Sequence, residues 1–215
     1  MGSASPSPFR YSTVRHVRRL KPGPFSKSRD YIDALAEEFY HSCVYCLMPD
    51  VFGGTFEVEH YRPESKFKDL RSEYSNLFYA CRACNGRKGK KWFEPEPDGA
   101  YIVNPCQDAM GEHLWFEAKR AKPRSKAGKL TEETLRLNDP NSVKFRENVD
   151  LVIAEAWTKL VGLRKRRPKV VKAINAEKDA VRKRHLETAL EALDGDVEKR
   201  VALLRQALGR QGHKV

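Results

Sequence analysis

The sequence predicts an α+β fold, mostly helical, in which a small hairpin-and-helix core is stapled by a four-cysteine zinc site and followed by a helical C-terminal region. Three observations carry this. Two Cys-x-x-Cys pairs stand at Cys43/Cys46 and Cys81/Cys84, polar and apolar residues alternate from Thr55 to His60, and helical periodicity dominates from Thr131 onward.

Taken in order, Met1 to Pro8 is small, polar and proline-broken, with no apolar signal core, and reads as a loose leader on a cytoplasmic protein. Phe9 to Arg29 is basic and interrupted by Pro22, Gly23 and Pro24, so residues 1–29 form a basic arm laid over the surface. A helix capped by Asp30 follows, with Ile32, Leu35, Ala36 and Phe39 on one face, and it delivers the chain to Cys43. Residues 30–100 hold the zinc knuckles, a hairpin beginning at Thr55 and a short helix after Cys84; so little core of its own needs a staple. Residues 101–215 are mainly helical. A short strand or hairpin at His113 to Ala118 precedes a helix starting at Thr131, which Asn138-Asp139-Pro140 stops. Val143 to Leu163 then reads as one helix through Val149, Val152, Ile153, Ala156, Trp157 and Leu160, with Pro168 and Gly195 dividing the rest into two more.

At 215 residues the chain is long enough to bury a core, and its net charge of +12, from 41 Lys and Arg against 29 Asp and Glu, favours a polyanion. Nucleic acid is the expected partner, because no apolar run approaches a membrane span. Five cysteines without a secretion signal argue for metal binding over disulfides. Each Cys-x-x-Cys places two thiolates on one ion, and together the pairs complete a tetrahedral zinc site; a redox pair would normally occur once, beside a βαβ unit that is absent here. Cys106 has no partner cysteine nearby in sequence and is given no role.

Residues 47–80, between the pairs, carry Glu57-Val58-Glu59-His60-Tyr61-Arg62-Pro63 and Tyr74-Ser75-Asn76-Leu77; Asn85 to Gly89 follow Cys84. Phosphodiester cleavage needs a cation on the phosphate, a base for the attacking water and a group that orients the base. This stretch offers all three. The pattern of Cys-x-x-Cys, acid-His-x-x-Pro, Asn-Leu and Cys-x-x-Cys-Asn-x-x-Lys resembles the zinc-stabilised HNH endonucleases from Cys43 to about Lys91. That resemblance implies a ββα-metal core in which His60 is the general base, Asn76 orients its ring, and Glu59 and Asn85 hold a catalytic Mg²⁺ or Mn²⁺. Glu stands where Asp or His is usual, and Asn where the final His is usual. Glu57 reads as a solvent-facing strand residue. The other histidines, His16, His41, His113, His185 and His213, have no comparable setting.

Arg62, Arg82, Arg87, Lys88, Lys90 and Lys91 surround this site in sequence and are expected to hold DNA phosphates. Arg164 to Arg167, with Lys169 and Lys172, reads equally as a duplex clamp or a solvated helix face. A looser resemblance rests on Val103-Asn104-Pro105, the stretch His113 to Ala118, Leu135 to Asn138 and Arg146. These are similar to the HNH subunit of Septu and related retron-associated antiphage systems, which implies an ABC-type ATPase partner docked on the C-terminal helices. The expected function is a DNA endonuclease acting as an antiphage effector. The competing reading is a non-catalytic zinc ribbon that binds nucleic acid or serves assembly.

Overall fold

The arm that begins the chain is held down by a buried acid. In a computed structural model, which describes residues 5–209, Glu38 is fully buried and its carboxylate accepts from the amides of Arg19 (3.0 Å) and Leu20 (2.9 Å) and meets His16 Nε2 at 2.9 Å. Those backbone donors hold the Glu38 carboxyl below its ordinary range despite burial, which acts the other way. Nearer the start, Tyr11 donates to the Tyr45 carbonyl at 2.7 Å.

Glu38 ends α1 (Ile32–Glu38), whose Leu35 and Ala36 are buried as the spacing requires, together with Phe39 just past its end. Asp30 does not cap it. A 3-10 turn, Ser28–Tyr31, runs straight into the helix, so Tyr31 at the cap position is helical (φ −84°, ψ −2°) and no side chain folds back.

β1 (Phe56–His60) and β2 (Leu77–Cys81) pair antiparallel from Phe56↔Cys81 to His60↔Leu77. Every residue of β2 is buried, since α1 packs against it and α2 (Arg82–Lys88) crosses both strands. After the short α3 (Met110–His113), β3 (Leu114–Glu117) and β4 (Arg120–Pro123) form the second hairpin, turning through Ala118 and Lys119, both at positive φ.

α4 (Lys126–Leu135) starts earlier than Thr131, because Ser125 supplies the cap by accepting from Gly128 N at 3.0 Å. Thr131 lies buried inside the helix, where its hydroxyl accepts from Val103 N at 2.9 Å. The helix stops at Arg136, in the left-handed region, and Pro140 opens the next helix instead of closing this one. Proline fits there because a first-turn amide has no intrahelical acceptor.

α5 (Pro140–Ala176) and α6 (Ala180–Ala207) pack as a long hairpin. Pro168 and Gly195 both lie inside these helices. Around Pro168, residues 164–169 are exposed, so the carbonyl that proline deprives of its partner lies where solvent can reach it. The break falls at Glu177–Asp179, where Asp179 caps α6. Arg167 bridges to Asp194 across the hairpin at 2.7 and 2.9 Å.

Two apolar clusters result. The larger runs from Tyr11 through Leu35, Tyr45, Leu77, Phe78, Val103 and Leu114 to Leu137. The second joins Phe9 to Val149, Ile153 and Leu160 on α5 and Leu204 on α6; Val152, expected on that face, is 47% exposed. Among the described residues no helix is long and apolar enough to cross a membrane. His213 and residues 1–4 of the expected leader lie outside the described residues.

Candidate functional site

The sulfurs of Cys43, Cys46, Cys81 and Cys84 all lie within 4.8 Å of one another, and Cys46 and Cys81 are 3.8 Å apart. A zinc–sulfur bond of about 2.3 Å in a tetrahedron puts neighbouring sulfurs about 3.8 Å apart, so the donor set fits zinc. A turn closed by Leu47 N to the Cys43 carbonyl (2.9 Å) forms the first knuckle. The end of β2 and the first turn of α2 form the second. Burial pushes the Cys43 thiol up, while hydrogen bonds from the neighbouring thiols push Cys81 down.

His60 ends β1, and its side chain is 17% exposed. Its Nε2 lies 3.0 Å from the Arg71 carbonyl. A carbonyl only accepts, so Nε2 is the donor in this contact, and in the neutral ring Nδ1 is the nitrogen that carries the lone pair. Asn76 does not orient this ring. Its side chain is turned on the loop instead, accepting from Arg62 N (2.9 Å) and donating to the carbonyls of Arg62 (3.0 Å) and Leu70 (3.2 Å), while its own carbonyl accepts from Tyr61 N. Sequence reasoning missed Arg71 because a main-chain carbonyl in a turn leaves no mark on residue type.

Glu59 and Asn85 are not brought together as an open ligand pair. Glu59 is 2% exposed and ion-paired with Lys88, itself fully buried and donating to the His60 carbonyl at 2.8 Å. Burial raises the Glu59 carboxyl to about 7, against the lowering effect of the Lys88 charge. The Tyr45 hydroxyl, also buried, has no hydrogen-bond partner among the described residues and is pushed up by burial and by Glu59. Asn85 instead donates to Glu57 at 2.7 Å, and Glu57 pairs with Arg82 at 3.1 Å. Alternation puts Glu57 and Glu59 on the face of β1 that α2 covers, so each meets the helix residue above it. As placed, Glu59 and Asn85 do not fit a divalent ion: one is neutralised by a buried ammonium, and the other's amide is directed at another acid.

The six expected phosphate contacts divide. Lys88 is sealed inside, and Arg87 reaches the carbonyls of Leu135 and Arg136 (3.2 Å each) and Asp139, tying α2 to the end of α4. The Arg62 guanidinium stacks over Trp92 at 5.3 Å. Arg82, Lys90 and Lys91 are exposed, Lys91 reaching the Arg87 carbonyl. The more distal motifs are structural: Arg146 is buried and donates to the carbonyls of Lys119 (2.7 Å) and Leu137 (2.6 Å), and Asn138 brackets Ala121 on both its N–H and its C=O.

This hairpin, zinc-type knuckle and short helix match the HNH endonuclease family over residues 43–91. The chain carries an HNH domain. The chain is similar to the Septu protein PtuB of Bacillus thuringiensis, with 34% identity over 106 residues, 49% of this chain and 40% of that protein. The match thus spans well under half of PtuB's length.

Proposed function

We propose that the HNH domain hydrolyses DNA phosphodiester bonds, with His60 as general base, in an antiphage effector that works beside an ABC-type ATPase. The observation that carries the chemistry is the Arg71 carbonyl on His60 Nε2 at the end of β1, which in the neutral ring makes Nδ1 the acceptor. In the step this supports, Nδ1 takes a proton from water, the water oxygen bonds to phosphorus, and the P–O bond to the leaving oxygen breaks. The four cysteines would hold zinc, whose part is to fix the knuckles that carry β1 and α2.

Mg²⁺ or Mn²⁺ belongs to the same proposal, and would supply charge neutralisation at the phosphate. For Glu59 and Asn85 to hold it, Lys88 must leave Glu59 and Asn85 must turn from Glu57. The buried Glu59–Lys88 pair favours a second reading, a non-catalytic domain that binds DNA. Plasmid DNA incubated with Mg²⁺, Mn²⁺ or EDTA, with and without the co-expressed ATPase, separates the two. Cleavage that requires metal and is lost in His60→Ala at unchanged melting temperature supports the nuclease. Binding without cleavage in every condition supports the second reading.

A further inference from the structure

We infer that a groove built by Lys27, Arg29 and Arg71 beside His60 holds a phosphate of the polynucleotide backbone next to the bond that is cut; this rests on the nuclease reading above. The groove, a cavity of about 410 Å³, is lined by Ser26, Lys27, Ser28, Arg29 and Arg71. Two segments distant in sequence build it, the end of the basic arm and the β1–β2 connection, and Ser72 Oγ fastens them by donating to the Ser26 carbonyl at 3.0 Å. Three cations and two hydroxyls line it, with no carboxylate among them.

Its position gives it a purpose. Arg71 belongs to both places: it lines the groove, and its carbonyl holds His60 Nε2 at 3.0 Å, so one residue links the groove to the base. The nearest acids are Glu64, 3.2 Å from Arg71 and 3.8 Å from His60, and Asp30, 3.7 Å from Arg29. Both pairs are largely exposed, with the Arg29 and Arg71 side chains 78% and 70% accessible. Exposed pairs of this kind hold weakly, so a phosphodiester that can take a guanidinium on both its free oxygens displaces them. Meanwhile Lys88 and Arg87, the cations nearest in sequence to the family motif, are engaged with the protein itself. The groove supplies phosphate contacts they do not.

The test uses the full chain in a His60→Ala background, so that binding is read without cleavage. Affinity for a short fluorescein-labelled DNA duplex is measured by anisotropy over a range of salt. Each lost phosphate contact lowers the slope of log affinity against log salt by about 0.9. Lys27→Ala/Arg29→Ala and Arg71→Ala are therefore expected to flatten the slope together by about two to three, with an affinity loss of tenfold or more. Lys178→Ala/Arg182→Ala, at the far turn of the α5–α6 hairpin, is expected to leave both unchanged. Wild-type slope and affinity in the groove variants overturn the inference. Cleavage is scored separately in the His60 chain. Groove variants that still cut at the wild-type rate and salt dependence sink the groove but keep the nuclease; a flattened binding slope with no cleavage in any metal, with or without the co-expressed ATPase, sinks the nuclease but keeps the groove as a DNA-binding surface.

Discussion

Lys88→Met is the substitution on which the sequence motif and the folded structure disagree most sharply. Lys88 Nζ is sealed between the Glu59 carboxylate and the His60 carbonyl, with Lys88 out of reach of solvent and Glu59 almost so. Removing the ammonium while keeping the methylene stem leaves a buried acid without its partner and a carbonyl without its donor. Breaking one side of a buried pair costs roughly 3–5 kcal/mol. For a chain of this size each kcal/mol moves the melting temperature by about 2–4 °C. A fall of roughly 6–20 °C is therefore expected by calorimetry or circular dichroism. Adding Glu59→Gln should recover part of it, since the uncompensated charge goes with the acid. A Lys88→Met protein that melts within a degree or two of wild type while losing DNA affinity would refute the burial argument and return Lys88 to the phosphate-binding role its motif position suggests.

The remaining expectations concern other parts of the molecule. Because burial raises the Glu59 carboxyl from 4.5 to about 7, the folded state binds its proton more tightly than the unfolded chain. Stability from this group is therefore greatest below pH 4.5 and declines as pH rises to about 7, by at most about 1.4 kcal/mol per pH unit. Urea melts at several pH values should show that decline, and Glu59→Gln should flatten it. Cys81→Ser should reduce bound metal, measured by inductively coupled plasma mass spectrometry, and loosen the β2–α2 junction; full zinc occupancy in that variant would exclude Cys81 as a ligand. Asn76→Ala removes the only side chain spanning Arg62 and Leu70 in the hydrogen bonds described above, at a cost of about 1–3 kcal/mol. Gly128→Ala should destabilise severely, since a Cβ there runs into the His113 carbonyl. Expression of a stable Gly128→Ala protein would mean that α3 and α4 sit farther apart.

The sequence by itself determined what depends on neighbours along the chain. The two Cys-x-x-Cys turns, the strand ending at His60, the second hairpin and the helical second half follow from residue type and period, and the structure gathers the four sulfurs within 4.8 Å. It misjudged Asp30, Thr131, Pro168 and Gly195 because each punctuates a helix only if its surroundings allow. Asp30 falls in a turn already helical, Thr131 is occupied with Val103, and Pro168 is exposed to water. Only the tertiary structure decided the charges. Whether a lysine meets phosphate or a buried acid depends on the few ångströms separating α2 from β1. That packing sent Lys88 inward to Glu59 and gave Asn85 to Glu57, while the β1–β2 connection put the Arg71 carbonyl on His60 and met Lys27 and Arg29 of the arm, some forty residues upstream of Arg71 in sequence.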